Sequence, residues 1–232
     1  AKDDLPILWS IPKSGSDLVQ DVMTQCFKLV GASNEGDMAS DVGITPKIYE
    51  GAALFTNDNS REGQPEQLGE CFVILRDPID RAIAVFSQLK TSPRWENVNI
   101  VSYAKGAEIE NNWMTRSITG KLNGGEVTEV DLLAAKNFLL DYCVIGTLDE
   151  LAESVRQFAN TFGWKTSDEQ PDKFSPCVAK ALRKGLKEER LTYQHNVIGE
   201  KSYLHDLISK SNVYDTQLFA YAKQLAEVRK LA

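Results

Sequence analysis

The chain has 232 residues, 42% of them hydrophobic, which suits a single globular domain with inserted loops. Its formal net charge of -7 argues against a nucleic-acid partner, and no apolar run approaches the roughly eighteen residues of a membrane span. The sequence starts at Ala1 without a basic and apolar leader. We therefore expect a processed chain. Its cellular compartment is not assigned, and the Golgi lumen or another organelle is among the candidates.

Strand-like and helix-like segments alternate along the chain, which is typical of an α/β fold with a parallel sheet. Short apolar runs rich in β-branched residues predict strands covered on both faces, at 5–11, 71–76 and 142–147, with a weaker candidate at 41–45. Apolar periodicity predicts helices at 16–30, 79–89, 131–140, 148–162 and 214–230. Polar segments predict loops around a binding cleft at 31–69 and 165–200. We predict one domain, 1–232, with three layers: a mainly parallel sheet and helices on both of its faces.

The first strand runs into a glycine-containing turn, in the stretch LWSIPKSGSDLVQDVM at 8–23. The strand breaks at Pro12, and Lys13 to Ser16 lead into a helical pattern. Free N–H groups and the helix dipole meet at such a turn, which therefore favours an anion. Asp17 follows, and its carboxylate beside a bound anion costs about 1 kcal/mol in water and several times more when desolvated. Asp17 also suits the N-cap or first turn of the helix. Both interpretations stay open.

A second stretch, CFVILRDPIDRAIAVFSQL, places Arg76 at the carboxyl end of a strand, just before a helix opened by Pro78. Ligands of parallel sheets bind at this edge, and a guanidinium fork suits a phosphate or sulfate. The alternative is a structural arginine paired with Asp77 or Asp80. A third stretch, IENNWMTRSITGKL at 109–122, predicts a short polar helix that either borders a cleft or is an ordinary exposed helix.

Together, the motifs IPKSGS, LRDPIDRAIAVF and NNWMTRSITG, in this order, resemble the sulfotransferases that use 3'-phosphoadenosine-5'-phosphosulfate (PAPS). The similarity is greatest to the carbohydrate and tyrosylprotein branch and to related proteins of unicellular algae. It spans about residues 5 to 164, and the tail YDTQLFAYAKQLAEV also resembles that family's last helix. The resemblance implies a P-loop-like sulfotransferase fold and transfer of a sulfuryl group from PAPS to a hydroxyl or amine.

The resemblance also implies roles for individual residues. Lys13 and the turn formed by Ser14, Gly15, Ser16 and Asp17 match the loop that holds the 5'-phosphosulfate, and Lys13 would also neutralise the leaving phosphate. Arg76 matches the arginine that binds the 3'-phosphate, and Arg116 matches an arginine close to the cofactor. The RKG at 183–185 resembles a basic loop of cytosolic members, although a solvated helix face is the preferred interpretation.

The chain departs from the family pattern at both phosphate ends. Asp17 replaces a hydroxyl residue of the loop, and Ala84 replaces the serine eight residues after the arginine. Loss of a hydroxyl bond to a phosphate typically costs about 1.5–3 kcal/mol. Ser87, close to one helical turn further along, is the candidate substitute.

The resemblance implies a general base near the end of the second strand, where the candidates in this chain are Glu50 and Asp41. The segment YEGAALF resembles the algal relatives and favours Glu50. The alternative is that Glu50 faces solvent on an amphipathic helix.

Two functions therefore stay open. One is an active sulfotransferase that binds PAPS, releases PAP and modifies a carbohydrate, protein or small-molecule acceptor. The other is a degenerate sulfotransferase fold that binds protein partners as a subunit of a larger assembly.

The four cysteines lack a CxxC pair and predict no zinc site. Cys143 and Cys177 are candidates for a disulfide in an oxidising compartment, and the connectivity stays open.

Overall fold

A computed structural model describes residues 6–33, 47–50, 71–106, 109, 111–122, 124–166, 175–192 and 202–230. Its strands are β1 (Ile7–Trp9), β2 (Val30–Ser33), β3 (Lys47–Glu50), β4 (Cys71–Leu75) and β5 (Cys143–Thr147). The first helices are α1 (Ser16–Gln25), α2 (Pro78–Leu89), α3 (Ile100–Lys105), α4 (Trp113–Thr119) and α5 (Glu129–Tyr142). The later helices are α6 (Leu151–Phe162), α7 (Pro176–Thr192), α8 (Tyr203–Ser211) and α9 (Val213–Lys230), and Pro93–Trp95 forms a 3-10 turn.

The described part of the chain has an α/β fold built on a three-stranded parallel sheet in the order β1-β4-β5. The register pairs Ile7 with Cys71 and Cys71 with Cys143, so the three strands start at one edge and end at the other. All three strands are apolar because both faces of the sheet are covered. β2 and β3 pair antiparallel in a separate two-stranded sheet.

Side chains of the sheet alternate between two apolar clusters, as the two-residue period of a strand requires. Val73 and Leu75 of β4 belong to a cluster covered by α4, α5 and α9. Phe72 and Ile74, which point the opposite way, belong to a second cluster covered by α1, α6 and α7. A third cluster joins α2, α3 and α8 beside the sheet. The strand ends are therefore held from both sides, and the loops that follow them start from fixed positions.

Strands β1, β4 and β5 and helices α2, α5, α6 and α9 occur close to the predicted segments. Helix α1 is shorter than predicted, because it ends at Gln25 and β2 begins at Val30. The prediction of a loop over 31–69 was wrong for most of β2 and for β3, and the prediction of a loop over 165–200 was wrong for α7. The weak strand predicted at 41–45 lies outside the described residues.

All four cysteines form disulfides. Cys26 at the C-terminal end of α1 bonds Cys177 in the first turn of α7, and Cys71 bonds Cys143, its neighbour in the sheet register. The suggested pair between Cys143 and Cys177 was therefore wrong. Connectivity depended on strand order and on a helix at 176–192 that was predicted to be a loop.

Candidate functional site

The turn between β1 and α1 lies at the edge of the sheet where the parallel strands end. The Ser14 amide donates to the Ile11 carbonyl at 3.2 Å and closes the turn. Lys13 has φ 62°, in the left-handed region that a side chain disfavours, and Gly15 has φ 96°. The φ of Gly15 favours glycine, and a Cβ there would lie 2.7 Å from Leu148 Cδ1, so a larger residue would also displace the Leu148 side chain. The turn thus has one tightly defined shape.

The two serine hydroxyls of the turn have different surroundings. Ser16 Oγ lies 3.2 Å from the Ile11 amide, which donates to it, and 3.4 Å from the Ile11 carbonyl. Ser14 is 0% exposed, and its Oγ has no hydrogen-bond partner among the described residues. Burial of a hydroxyl without a partner costs about 1–3 kcal/mol, so such groups are exceptional in native proteins. Ser14 Oγ is therefore a candidate donor to a ligand held by the turn.

Asp17 lies in the first turn of α1, and its side chain is exposed. The first-turn interpretation is confirmed, whereas the N-cap position is held by Gly15, without a side-chain cap. A carboxylate in this position is favoured by the positive end of the helix. Because water screens it, it opposes an anion in the turn less than a buried carboxylate would.

Arg76 follows β4 directly, as predicted, at the edge that also carries the turn. It is only 3% exposed, and its Nη1 donates to the carbonyl of Lys13 at 3.1 Å. Asp77 caps α2, with its Oδ1 accepting from the amides of Ile79 and Asp80 at 2.9 and 3.2 Å. The structure therefore brings Arg76 and the turn into direct contact.

Arg81, five residues further along, is a part of this site that sequence reasoning missed. It is 1% exposed, and its Nη1 lies 3.5 Å from the carbonyl oxygen of Pro12. Its guanidinium lies over the ring of Trp113, 5.2 Å from the ring centre, and interacts electrostatically with the carboxylate of Asp215. A charged residue within an amphipathic helix normally lies on the solvent face. No local signal distinguishes Arg81 from that case, since its partners are distant in sequence.

Asp215 is fully buried in the first turn of α9 and binds the start of α4. Its two carboxylate oxygens accept from the amides of Met114 and Thr115 and from the Thr115 hydroxyl, each at 2.8 Å. Burial raises the pKa of Asp215, while Arg81 and these hydrogen bonds favour the carboxylate and offset part of that rise.

Asn112 makes the reciprocal contact with α9. Its Oδ1 accepts from the amides of Tyr214 and Asp215 at 2.8 and 3.2 Å, and its own amide donates to Asn212 Oδ1 at 3.1 Å. The N-termini of α4 and α9 therefore cap each other. Two polar residues of the NNWMTR motif, Asn112 and Thr115, bind α9, which explains why these two are buried.

Arg116, predicted close to a cofactor, is bonded within its own segment. Its Nε and Nη2 donate to Asn111 Oδ1 at 2.9 and 2.7 Å, and its Nη1 donates to the Lys121 carbonyl at 3.1 Å. Ser87 donates its hydroxyl to the Ile83 carbonyl of its own helix at 2.9 Å. Ala84 is 0% exposed. The structure thus gives Arg116 and Ser87 partners within the protein.

The structure describes one of the two candidate bases. Asp41 lies outside the described residues. Glu50 is the last residue of β3, so the alternative that placed it on an amphipathic helix was wrong. Only its backbone is described. Strand β3 contacts β1, the strand that leads into the turn. The catalytic role of Glu50 and the solvent-facing position of its side chain both stay predictions.

The RKG segment lies within α7, where Arg183 and Lys184 are exposed. The interpretation as a solvated helix face is confirmed. Gly185 instead faces α1, and a Cβ there would lie 2.4 Å from Leu18 Cδ2. This contact brings α7 against the first turns of α1.

Cavities of the described surface include one at each end of the parallel strands. One of about 360 Å³ is lined by residues 148–153 and Leu186 and lies at the carboxyl end of β5. Because Leu148 also packs on Gly15, this cavity adjoins the turn. The larger one, about 500 Å³, is lined by residues that start β5, by α6 and by Arg229, at the opposite edge of the sheet. We consider the smaller one relevant to the site because of its position.

Within the described ranges, no cluster of histidine, cysteine and carboxylate side chains is arranged to hold a metal ion. None of the helices in those ranges is long and apolar enough to cross a membrane. No protein-family profile and no curated protein matches the chain.

Proposed function

We propose that the chain is a PAPS-dependent sulfotransferase whose β1–α1 turn binds the 5'-phosphosulfate. The observation that carries the proposal is the turn itself: a strand end, a left-handed Lys13 and Gly15, and the buried Ser14 hydroxyl without a described partner. A phosphate or sulfate oxygen would accept from this hydroxyl and from the free N–H groups at the start of α1. The two apolar clusters on opposite faces of the parallel sheet support the three-layer, P-loop-like fold that the sequence resemblance implies.

In this proposal each residue has a distinct task. PAPS supplies the sulfuryl group, whose bond to phosphate breaks as a bond to the acceptor oxygen or nitrogen forms. Ser14 and the turn amides hold the phosphosulfate, and the Lys13 ammonium compensates the charge that develops on the leaving phosphate. Glu50 or Asp41 takes the proton of the acceptor. Arg76 lies at the same edge, and in this proposal its guanidinium binds the 3'-phosphate.

A second candidate is a degenerate sulfotransferase fold that serves as a binding subunit. It is favoured by the surroundings expected for a 3'-phosphate: Ala84 is buried and lacks a hydroxyl, and Ser87 is bonded to its own helix. Arg116 is likewise held by Asn111 and Lys121. In this case the first turn persists as a structural element, and the protein acts through its surface.

Calorimetric titration of the purified chain with PAP tests the two candidates. For an active site we expect micromolar binding, weakened about tenfold in Ser14→Ala because one hydrogen bond to a charged group is lost. Ser209→Ala is the matched control, since it also removes a serine hydroxyl, but one that lies in α8 beside His205 Nδ1. Absence of PAP binding by the native chain would contradict the proposed sulfotransferase activity. Binding that appears only in the double variant Asp17→Thr with Ala84→Ser would then identify an abandoned site.

A further inference from the structure

Two buried arginines bond successive carbonyl groups of the turn. Arg76 donates to the Lys13 carbonyl at 3.1 Å, and Arg81 approaches the Pro12 carbonyl at 3.5 Å. Both arginines are almost fully buried, at 3% and 1% exposed. Burial of a guanidinium is costly and needs compensating partners. The contacts of two buried arginines with the turn therefore suggest that they have a role in shaping it.

The planarity of the peptide unit links these carbonyls to the amides that follow them. In a trans peptide the C=O of one residue and the N–H of the next point in opposite directions. An arginine that holds the Pro12 carbonyl therefore fixes the direction of the Lys13 N–H. In the same way, Arg76 and the Lys13 carbonyl fix the Ser14 N–H, which already donates to Ile11. The Lys13 N–H is thus directed away from the guanidinium of Arg81.

We propose that Arg81 is a positioning residue of the turn, which holds the Lys13 N–H in the orientation that receives an anion. The inference rests on the proposed function of the turn. In this proposal Arg81 acts on the ligand through the Pro12 carbonyl. It also stabilises the left-handed Lys13, whose φ of 62° is disfavoured for a residue with a side chain.

The position of Arg81 is itself determined by residues distant in the chain. Trp113 of α4 covers one face of the guanidinium, 5.2 Å away, and Asp215 of α9 supplies the opposite charge. Asp215 is held in turn by the amides of Met114 and Thr115. The C-terminal helix therefore contributes to the shape of a turn near the N-terminus.

The test compares Arg81→Lys with the native chain. Lysine keeps the charge but loses the planar fork that both stacks on Trp113 and reaches the Pro12 carbonyl. We expect a folded protein in which the backbone amide resonances of Lys13 and Ser14 move in a proton–nitrogen correlation spectrum recorded without ligand. We also expect PAP affinity to fall on the order of tenfold. Arg156→Lys is the matched control, because Arg156 is exposed and bonds only Glu153 among the described residues.

Two further results keep the inference separate from the proposed function. If the native chain does not bind PAP, the function fails, while the amide resonances still test whether Arg81 positions the turn. Trp113→Phe, which keeps an aromatic face of smaller area, should move the same amides in the same direction by less. Unchanged Lys13 and Ser14 resonances in both folded variants would overturn the inference, as would PAP affinity in Arg81→Lys equal to that of a binding native chain.

Discussion

The buried carboxylate of Asp215 gives the most direct test of how the fold holds the site. Asp215→Asn is nearly isosteric, so the change concerns charge and hydrogen bonding rather than volume. In the native chain one carboxylate oxygen accepts from the Met114 amide and the other from the amide and hydroxyl of Thr115, each at 2.8 Å. In the variant, one oxygen becomes an NH2 group that meets an N–H donor, and the Arg81 guanidinium loses its facing charge.

The expected loss follows from these two terms. A buried amide left without an acceptor costs about 1–3 kcal/mol. An unpaired buried charge adds to this, and breaking a buried pair typically costs about 3–5 kcal/mol in total. Burial raises the pKa of Asp215, which means that the native carboxylate is itself penalised and part of the loss is offset. We therefore expect Asp215→Asn to reduce the free energy of unfolding by about 2–4 kcal/mol, or on the order of 10 °C in Tm.

Urea and thermal unfolding at neutral pH measure this loss. Asp206→Asn is the control, since Asp206 also lies in the first turn of a helix but has a side chain that is 63% exposed. We expect that variant to change stability by less than about 0.5 kcal/mol. If Asp215→Asn unfolded within a degree or so of the native chain, the interlocked caps and the charge facing Arg81 would not carry the stability assigned to them.

Three further predictions concern the turn, the Asp131 carboxylate of α5 and a disulfide. Gly15→Ala should destabilise the chain and abolish any PAP binding, because its φ disfavours a side chain and the new Cβ would displace Leu148. Gly125→Ala, with φ 86° and no described atom within 4 Å of the new Cβ, should keep any binding of the native chain. If the native chain binds PAP, equal binding by both variants would contradict the role of Gly15 in the turn. Desolvation acts against the Asp131 carboxylate, yet the hydrogen bonds from Lys121 and Thr128 outweigh it and lower its pKa below the ordinary 3.8, so its stabilisation is present above that value and is lost as pH falls through the folded pKa. The free energy of unfolding of Asp131→Asn should therefore be lower than that of the native chain at neutral pH and approach it in acid. Curves of this free energy against pH that run parallel for the two proteins would refute the role of the Asp131 carboxylate. Loss of the Cys26–Cys177 disulfide, which joins residues 151 apart, should cost about 2–4 kcal/mol, and thiol titration of the denatured, unreduced chain should find no reactive cysteine.

Prediction from the sequence succeeded where local pattern determines structure. Continuous apolar runs located the three parallel strands, and the break at Pro12 with Gly15 located the turn, because these signals depend on neighbours in the chain. Arg76 was placed at the correct edge for the same reason. The α7 helix was missed because its segment is rich in lysine and follows Pro171, although one face packs on α1 through Gly185.

The contacts that shape the site could not be predicted in this way. Arg81 meets Pro12 across 69 positions, and Asp215 meets Thr115 across 100. Such pairs depend on the order of strands and on the position of α9 against α4. A polar residue within a helical pattern carries no local mark of a distant partner. The same reason left the disulfide of Cys26 open.

Residues of the NNWMTR motif, on which part of the resemblance to sulfotransferases depends, have structural roles in this fold. Asn112 and Thr115 join α4 to α9, and Arg116 closes its own segment through Asn111 and Lys121. A chain that lost its chemistry would still need these contacts to fold, so the motif would persist in an enzyme and in a degenerate relative alike. The residues that discriminate between the two functions are those without a structural task. Ser14, whose buried hydroxyl has no described partner, is the strongest of these, and its binding of an anion decides whether the turn is a working site.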